Sequence, residues 1–215
     1  MSSELVSVQQ QILESTELLG PQQTLDEQLH KFERYAAEMF IALGIDPSMP
    51  SFKDIPQRFV RALFDTTRGF ESGPHALRVL STQCQSGLAC HETHVAEGPI
   101  HFFGLCECHS FPLFGHAYVG YVAHEQIMGI CKLTRLVRFL TMRFVGRETI
   151  RQQIADALQT LIHPLGVAVY LEVDHDCART HGIRSSVPRA IVWRGEYSLD
   201  PALQAEFLSA CGLEH

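Results

Sequence analysis

Beyond Pro74 the apolar residues change their period twice, and that double change limits the folds open to this chain. "THVAEGPIHFFGL" and "GHAYVGYVA" are short, rich in β-branched and aromatic residues, and bounded by Gly and Pro. They predict two strands. The period then becomes helical. Leu133, Leu136, Val137 and Leu140 share one face of "CKLTRLVRFLTMRF", and Ile150, Ile154, Leu158 and Leu161 share one face of "ETIRQQIADALQTLI". "GVAVYLEVDHDC" and "AIVWRGEYSL" return to strand character, and "ALQAEFLSAC" predicts a short closing helix. Two strands, two helices and two strands form an α+β pattern. Upstream, Leu29, Phe32, Ala36, Phe40 and Leu43 recur at steps of three and four, which predicts a helix from Leu25 to Leu43 with Gly44 as its C-cap. "DIPQRFVRALFDTTRGF" predicts another, with Pro56 in its first turn. Residues 1–73 are thus expected to form a helical N-terminal arm and 74–212 the α+β body. "LEH", Leu213 to His215, reads as an expression-tag remnant.

Composition narrows the chemistry. Hydrophobic residues make up 46% and charged residues 19%, as expected of a folded globular chain. No apolar run reaches the roughly 18 residues of a membrane span. "MSSELVSVQQQ" lacks the basic region and apolar core of a secretory signal, so a cytoplasmic location is expected. Seven cysteines in such a compartment point to metal binding or catalysis before a disulfide framework. A net charge of −7 argues against a nucleic-acid partner, while a local basic cluster still permits a small anionic substrate.

The densest group of reactive side chains is "GLCECHSFPLFGH", in which Cys106, Cys108 and His109 fall within four residues. Cys106 and His109 form a C-x-x-H pair, able to present two ligands to one metal from a single turn. The same spacing also arises from a half-buried Cys beside a surface His. A further ligand is sought in "DHDC", where His175 and Cys177 stand at positions i and i+2 of a strand and share a face. Two thiolates and an imidazole would leave a fourth zinc position for water. Lys132 and Arg135 lie three apart on one helix, either as a phosphate clamp or as a solvated basic face. Glu148 lies in the first turn of the next helix, where it favours the helix dipole or accepts N–H bonds from a purine edge.

The order of these segments resembles the GTP cyclohydrolase I family. "CECHSFPLFGHAYVGYV", "IMGICKLTRLVRFL" and "RETIRQQIADALQTLIHPLGVAVYLEVDHDCARTHGI" follow its pattern of C-E-H-H, P-F-x-G, I-x-Y, G-L-S-K-x-x-R, Q-E-R, H-x-C and R-G, and "DIPQRFVRALFDTTRGF" is similar to its T-P-x-R helix. The resemblance implies the tunnelling fold, an antiparallel sheet with two long helices on one face, assembled into a homo-oligomer, usually a decamer, with sites between subunits. It also implies zinc as cofactor and a purine nucleotide as substrate: C8 of GTP is hydrated, the imidazole ring opens, formate leaves, and dihydroneopterin triphosphate forms. Carried over by position, Cys106, His109 and Cys177 match the zinc ligands, and His175 a catalytic histidine. Glu148 matches the glutamate that reads guanine, and Lys132, Arg135 and Arg58 match basic residues at the triphosphate.

Four positions depart from that pattern. Cys108 replaces a catalytic histidine, Cys131 the serine of G-L-S-K, His181 the arginine of R-G, and Arg147 the glutamine before Glu148. A thiol, with a reference pKa near 8.5, is a poorer proton shuttle at neutral pH than an imidazole near 6.5. "SSVPRAIVWRGEY" also replaces a Thr/Ser-rich segment and is shorter. The zinc ligands are kept while proton transfer and phosphate grip change. The expectation is ring opening of GTP, or of a related purine nucleotide, that stops short of the pterin. The alternative is an inactive nucleotide-binding paralogue in which Cys108 closes a structural zinc site.

Overall fold

Leu29, Phe32, Ala36 and Phe40 recur with the helical period, and the segment that carries them folds as helix α1, Leu25–Ala42. The computed structural model of the protein describes residues 25–46, 49–50, 53–67, 82–83, 94–124, 126–175 and 189–213. The chain divides into two units, Met1–Arg68 and Gly69–His215. In the first, Gly44 follows α1 at φ 85°, the left-handed value that lets a helix end there. Helix α2, Ile55–Thr66, carries Pro56 in its first turn. Phe40 meets Phe59 edge-on at 5.5 Å between ring centres, and Phe32 meets Phe64 at 5.7 Å. Ala36 and Val60 are buried.

The second unit is built on a five-stranded sheet. Strand β1, Thr82–Gln83, pairs with β4, Gln126–Ile127, as a separate two-stranded ribbon. The main sheet contains β2 (His94–Cys106), β3 (Pro112–Val122), β5 (Phe144–Val145), β6 (Gly166–His175) and β7 (Arg189–Gly195), in the order β5-β2-β3-β6-β7. Every pairing is antiparallel except β2 with β5. Helices α3 (Ile130–Thr141) and α4 (Arg147–Ile162) follow each other in sequence.

Strand side chains alternate between faces, and both faces are used. Phe102, Leu113, Ala117, Val119, Tyr121, Val169 and Leu171 meet Leu133, Leu136, Val137, Ile150, Ile154 and Leu158 of the two helices in one core. Each large aliphatic side chain buried there contributes about 1.5–3 kcal/mol relative to exposure. On the opposite face Tyr118, Val122, Ala168 and Tyr170 pack with Tyr197, Leu203 and Phe207. These come from α5, Glu196–Leu199, and α6, Pro201–Ala210. Asp200 caps α6, its Oδ1 accepting from the Ala202 and Leu203 N–H groups at 2.8 and 3.4 Å.

Two elements differ from the sequence expectation. The strand expected over "AIVWRGEYSL" ends at Gly195, and Glu196–Leu199 turn helical. Gly195 holds φ 58°, and a Cβ there would run into the carbonyl oxygen of Leu165. Only glycine makes this turn without strain. The helix expected through Phe144 stops at Thr141. The Thr141 hydroxyl donates back to the Val137 carbonyl at 3.0 Å, and Arg143 turns its carbonyl to the Leu105 N–H at 3.0 Å. Phe144 and Val145 then join the sheet beside Leu105 and Cys106. Among the described residues no helix is long and apolar enough to cross a membrane.

Candidate functional site

Strand β2 ends at Cys106, and the chain reverses tightly through Glu107, Cys108 and His109 into β3. Two backbone bonds close the reversal. The Ser110 N–H donates to the Cys106 carbonyl, and the Cys106 N–H donates to the Phe111 carbonyl, each at 2.8 Å. Ser110 takes φ 60° to make the turn. Cys106 is buried while Cys108 and His109 are exposed. The Cys108 thiol is pushed up from its ordinary value, first by charge on the adjacent Cys106 sulfur, then by desolvation, a hydrogen bond with Cys106, and the Glu107 carboxylate. Cys108 therefore stays in the thiol form and stands against Cys106.

The parallel β5 brings a second segment to this turn. Cys106 pairs with Val145, and the Glu107 N–H reaches the Val145 carbonyl at 3.4 Å. The next residue, Gly146, is the N-cap of α4. A Cβ on Gly146 would collide with Glu107 Oε1, so the Glu107 carboxylate lies at the positive end of that helix. Arg147 opens α4, and Glu148 is in its first turn. Glu148 Oε2 pairs with Arg151 Nη2 at 2.7 Å, and Arg151 Nη1 donates to the Ile191 carbonyl of β7 at 2.8 Å. His175 is the last residue of β6, registered opposite Leu113 at the start of β3. Thus the C-E-C-H turn, the start of α4 and the end of β6 occupy one end of the sheet.

The basic pair is elsewhere. Tyr121 OH donates to the Met128 carbonyl at 3.1 Å and accepts from the Met128 N–H at 3.0 Å, fixing the entry to α3 near the far end of β3. Cys131 and Lys132 follow in the first turn of α3, and its last residue, Thr141, meets Gly104 near the C-E-C-H end. At about 1.5 Å rise per residue, Lys132 stands about 14 Å along the helix from Thr141, and Arg135 about 9 Å. Arg58 belongs to the other unit, on α2, where its Nε reaches the Asp54 carbonyl at 3.4 Å. Cys177 and His181 lie outside the described residues.

Two residues at the site had no assigned role in the sequence reading. Glu107 sits inside the C-E-C-H motif, and the β2–β5 pairing that gives it Gly146 as a neighbour hid in a segment with helical periodicity. Arg151 reads as an ordinary helix-surface cation until its link to Ile191, 40 residues away, is seen.

The match to known sequences covers the whole of this arrangement. A model of the family described as GTP cyclohydrolase I matches residues 32–212. The chain belongs to the GTP cyclohydrolase I family. The tunnelling fold of that family is the architecture described above, an α+β body with a curled sheet and two successive helices on one face. Among named relatives, the GTP cyclohydrolase 1 of Nitrosospira multiformis is 35% identical over 172 residues, 78% of this chain and 87% of that protein. That of Chlorobium phaeovibrioides is 32% identical over 168 residues, covering 77% and 74%. That of Deinococcus radiodurans is 31% identical over 183 residues, covering 84% and 83%. The matched span of the GTP cyclohydrolase I family takes in Arg58, the C-E-C-H turn, both successive helices and the end of β6.

The donor chemistry at the turn fits zinc, a borderline-soft ion that takes both sulfur and imidazole nitrogen: a thiol is buried at a strand end and an imidazole lies three residues on. Among the described residues no three His, Cys, Asp or Glu side chains converge on one point. Cys106 and His109 are the two expected donors on the turn, and Cys177, the third expected from the sequence, lies outside the described residues.

Proposed function

We propose that this chain is a zinc-dependent hydrolase that adds water at C8 of GTP or a related purine nucleotide, opens the imidazole ring, and stops before a pterin ring closes. One observation carries the reading. The turn holding Cys106 and His109 is bonded through β5 to the helix start holding Glu148, so metal donors and a base-reading carboxylate share one end of the sheet. Cys106, His109 and Cys177 would hold the zinc. At such a site zinc supplies water acidified to a pKa of about 7.

The chain's own residues divide the remaining work. Glu148 accepts from the N1–H and 2-amino group of guanine, with Arg147 beside it. His175 moves a proton to the purine nitrogen released when the C8–N bond breaks. Lys132, Arg135, Arg58, Cys131 and His181 take the ribose and phosphates. Lys132 stands about 14 Å of helix from the C-E-C-H end, which favours a site completed by a second copy in a homo-oligomer such as the family decamer. Residues 1–73 would act as a helical arm to a 74–212 catalytic body, in a cytoplasmic enzyme. Cys108, a thiol where the family pattern has an imidazole, is a weaker proton shuttle at neutral pH, so the later steps that demand proton transfer fail.

The hydrogen bond between Cys108 and Cys106 favours one competing reading, a non-catalytic nucleotide-binding paralogue in which Cys108 swings in as a further sulfur ligand to a closed zinc. Anaerobic incubation of the zinc-loaded protein with GTP and GMP, followed by mass spectrometry and a formate assay, separates these. The proposal expects a product one water heavier than the nucleotide, or its deformylated form, and no pterin. Rapid formation of dihydroneopterin triphosphate refutes the early stop. Binding without turnover, with a cobalt spectrum of three thiolates, supports the paralogue.

A further inference from the structure

An ion pair at i,i+3 on a helix surface is ordinary, and two long side chains exchanging rotamers in water contribute little. The Glu148–Arg151 pair is built differently. Arg151 is 26% exposed, and its two terminal nitrogens are committed to different elements: Nη2 to Glu148 on α4 at 2.7 Å, and Nη1 to the Ile191 carbonyl on β7 at 2.8 Å. Among the described residues its Nε is buried without a hydrogen-bond partner. Leaving a buried donor unpaired is unfavourable, so the guanidinium is not placed where its own hydrogen bonding is best. Its position satisfies the two Nη contacts together. A planar fork bonded at both ends has one orientation, and it offers Glu148 Oε2, on a side chain 54% exposed, a partner in a fixed place.

We propose that Arg151 is a positioning residue for Glu148: it braces α4 against β7, fixes the direction of the carboxylate, and thereby sets the preference for a 2-aminopurine over a purine lacking that amino group. The inference rests on the reading of Glu148 as the acceptor for the guanine edge. The geometry is compatible with both tasks, because a carboxylate offers about four lone-pair sites and each oxygen accepts more than one bond. A lysine at this position keeps the charge but is a point donor, unable to span both acceptors as the fork does.

The test is equilibrium titration of the full chain with 7-deaza-GTP and 7-deaza-ITP. Their five-membered ring has carbon in place of N7, so there is no amidine to hydrolyse and binding is read alone. The native protein is expected to favour the guanine analogue. Arg151→Gln should lose about tenfold of that preference, the size of one misdirected charged hydrogen bond. Its affinity for 7-deaza-ITP should stay near the native value, and Arg151→Lys should fall in between. A merely structural arginine would lower thermal stability and leave the ratio of the two affinities at its native value, and that result overturns the proposal. Arg151→Lys carries the same test if the glutamine variant does not fold. Glu148→Gln separates the two levels. If it abolishes the guanine preference and Arg151→Gln does not, the bracing role alone is wrong. If Glu148→Gln leaves the preference intact, the reading of Glu148 is wrong and the bracing role falls with it.

Discussion

Removing one oxygen atom, by Tyr121→Phe, tests how the start of α3 is held. Tyr121 is 0% exposed and Met128 1% exposed. The phenol donates to the Met128 carbonyl at 3.1 Å and accepts from the Met128 N–H at 3.0 Å. Phenylalanine fills nearly the same volume, so little packing is lost. Both Met128 backbone groups, however, then lose the one hydrogen-bond partner that each has among the described residues. At about 1–3 kcal/mol for each unsatisfied buried group, less the desolvation no longer borne by the hydroxyl, the expected loss is about 2–4 kcal/mol. For a chain of this size that is a fall in Tm on the order of 6–12 °C. Urea unfolding at fixed protein concentration reads it directly, as a shift in midpoint with an unchanged slope. Tyr170→Phe serves as the internal comparison. Its hydroxyl donates to a partly exposed Glu172 at 3.3 Å, and its loss is expected to cost under about 1 kcal/mol. If both variants lose the same small amount, the Tyr121 clamp does not hold α3 and the reasoning is wrong.

Three further outcomes follow from the geometry. Gly146→Ala pushes a methyl group into the Glu107 carboxylate. Glu107 is exposed and its carboxylate is the free end of a flexible side chain, so that group should swing aside and leave stability within about 0.5 kcal/mol of native, read by urea midpoint. A larger loss would show that the carboxylate is held at the helix start. Tyr197 is pushed up to about 12, chiefly by burial and then by Glu206 and Cys211, and Cys211 up to about 11 by burial and by Glu97. Raised folded values mean that their stabilisation is complete below the unfolded values, near 10 for Tyr and 9 for Cys, and is lost as pH rises toward 11–12. For Tyr197 the term is on the order of 2–3 kcal/mol. Urea midpoints should therefore fall between pH 9 and 11.5, and Tyr197→Phe should flatten that fall. Cys108→His restores an imidazole beside Cys106, and under the proposed function its product with GTP should shift from a ring-opened pyrimidine to a pterin, read by fluorescence. An unchanged product would move the block to His181 or Arg147.

The sequence pattern was most legible where one period ran long. Ile150, Ile154 and Leu158 mark α4 without ambiguity because the buried side of a four-turn helix repeats itself, and all three are fully buried. It was least legible where two residues did the work. Phe144 and Val145 continue the apolar rhythm of α3, and nothing local distinguishes them from helix; the Leu105 and Cys106 backbone on another strand turns them into β5. Gly195 fails for a related reason, since "AIVWRGEYSL" alternates well enough for a strand and only the Leu165 carbonyl forbids its continuation. The C-x-x-H spacing was visible, and so was its ambiguity. What single-chain spacing lacked was the neighbour: Glu107 against Gly146 and Arg151 against Ile191 are long-range contacts between residues with unremarkable local surroundings.

The separation along α3 has an evolutionary side. The turn at Cys106 and the start of α4 are wired together by two-residue β5, so a change in one is felt by the other. Lys132 and Arg135 hang on a different scaffold, an α-helix anchored at its own beginning by Tyr121. Under the proposed function, the machinery that breaks a ring and the machinery that grips a charged tail are separate modules joined by a rigid spacer. Each can drift under selection without retuning the other, and a lineage can revise the nucleotide that it accepts while the bond that it cleaves stays the same.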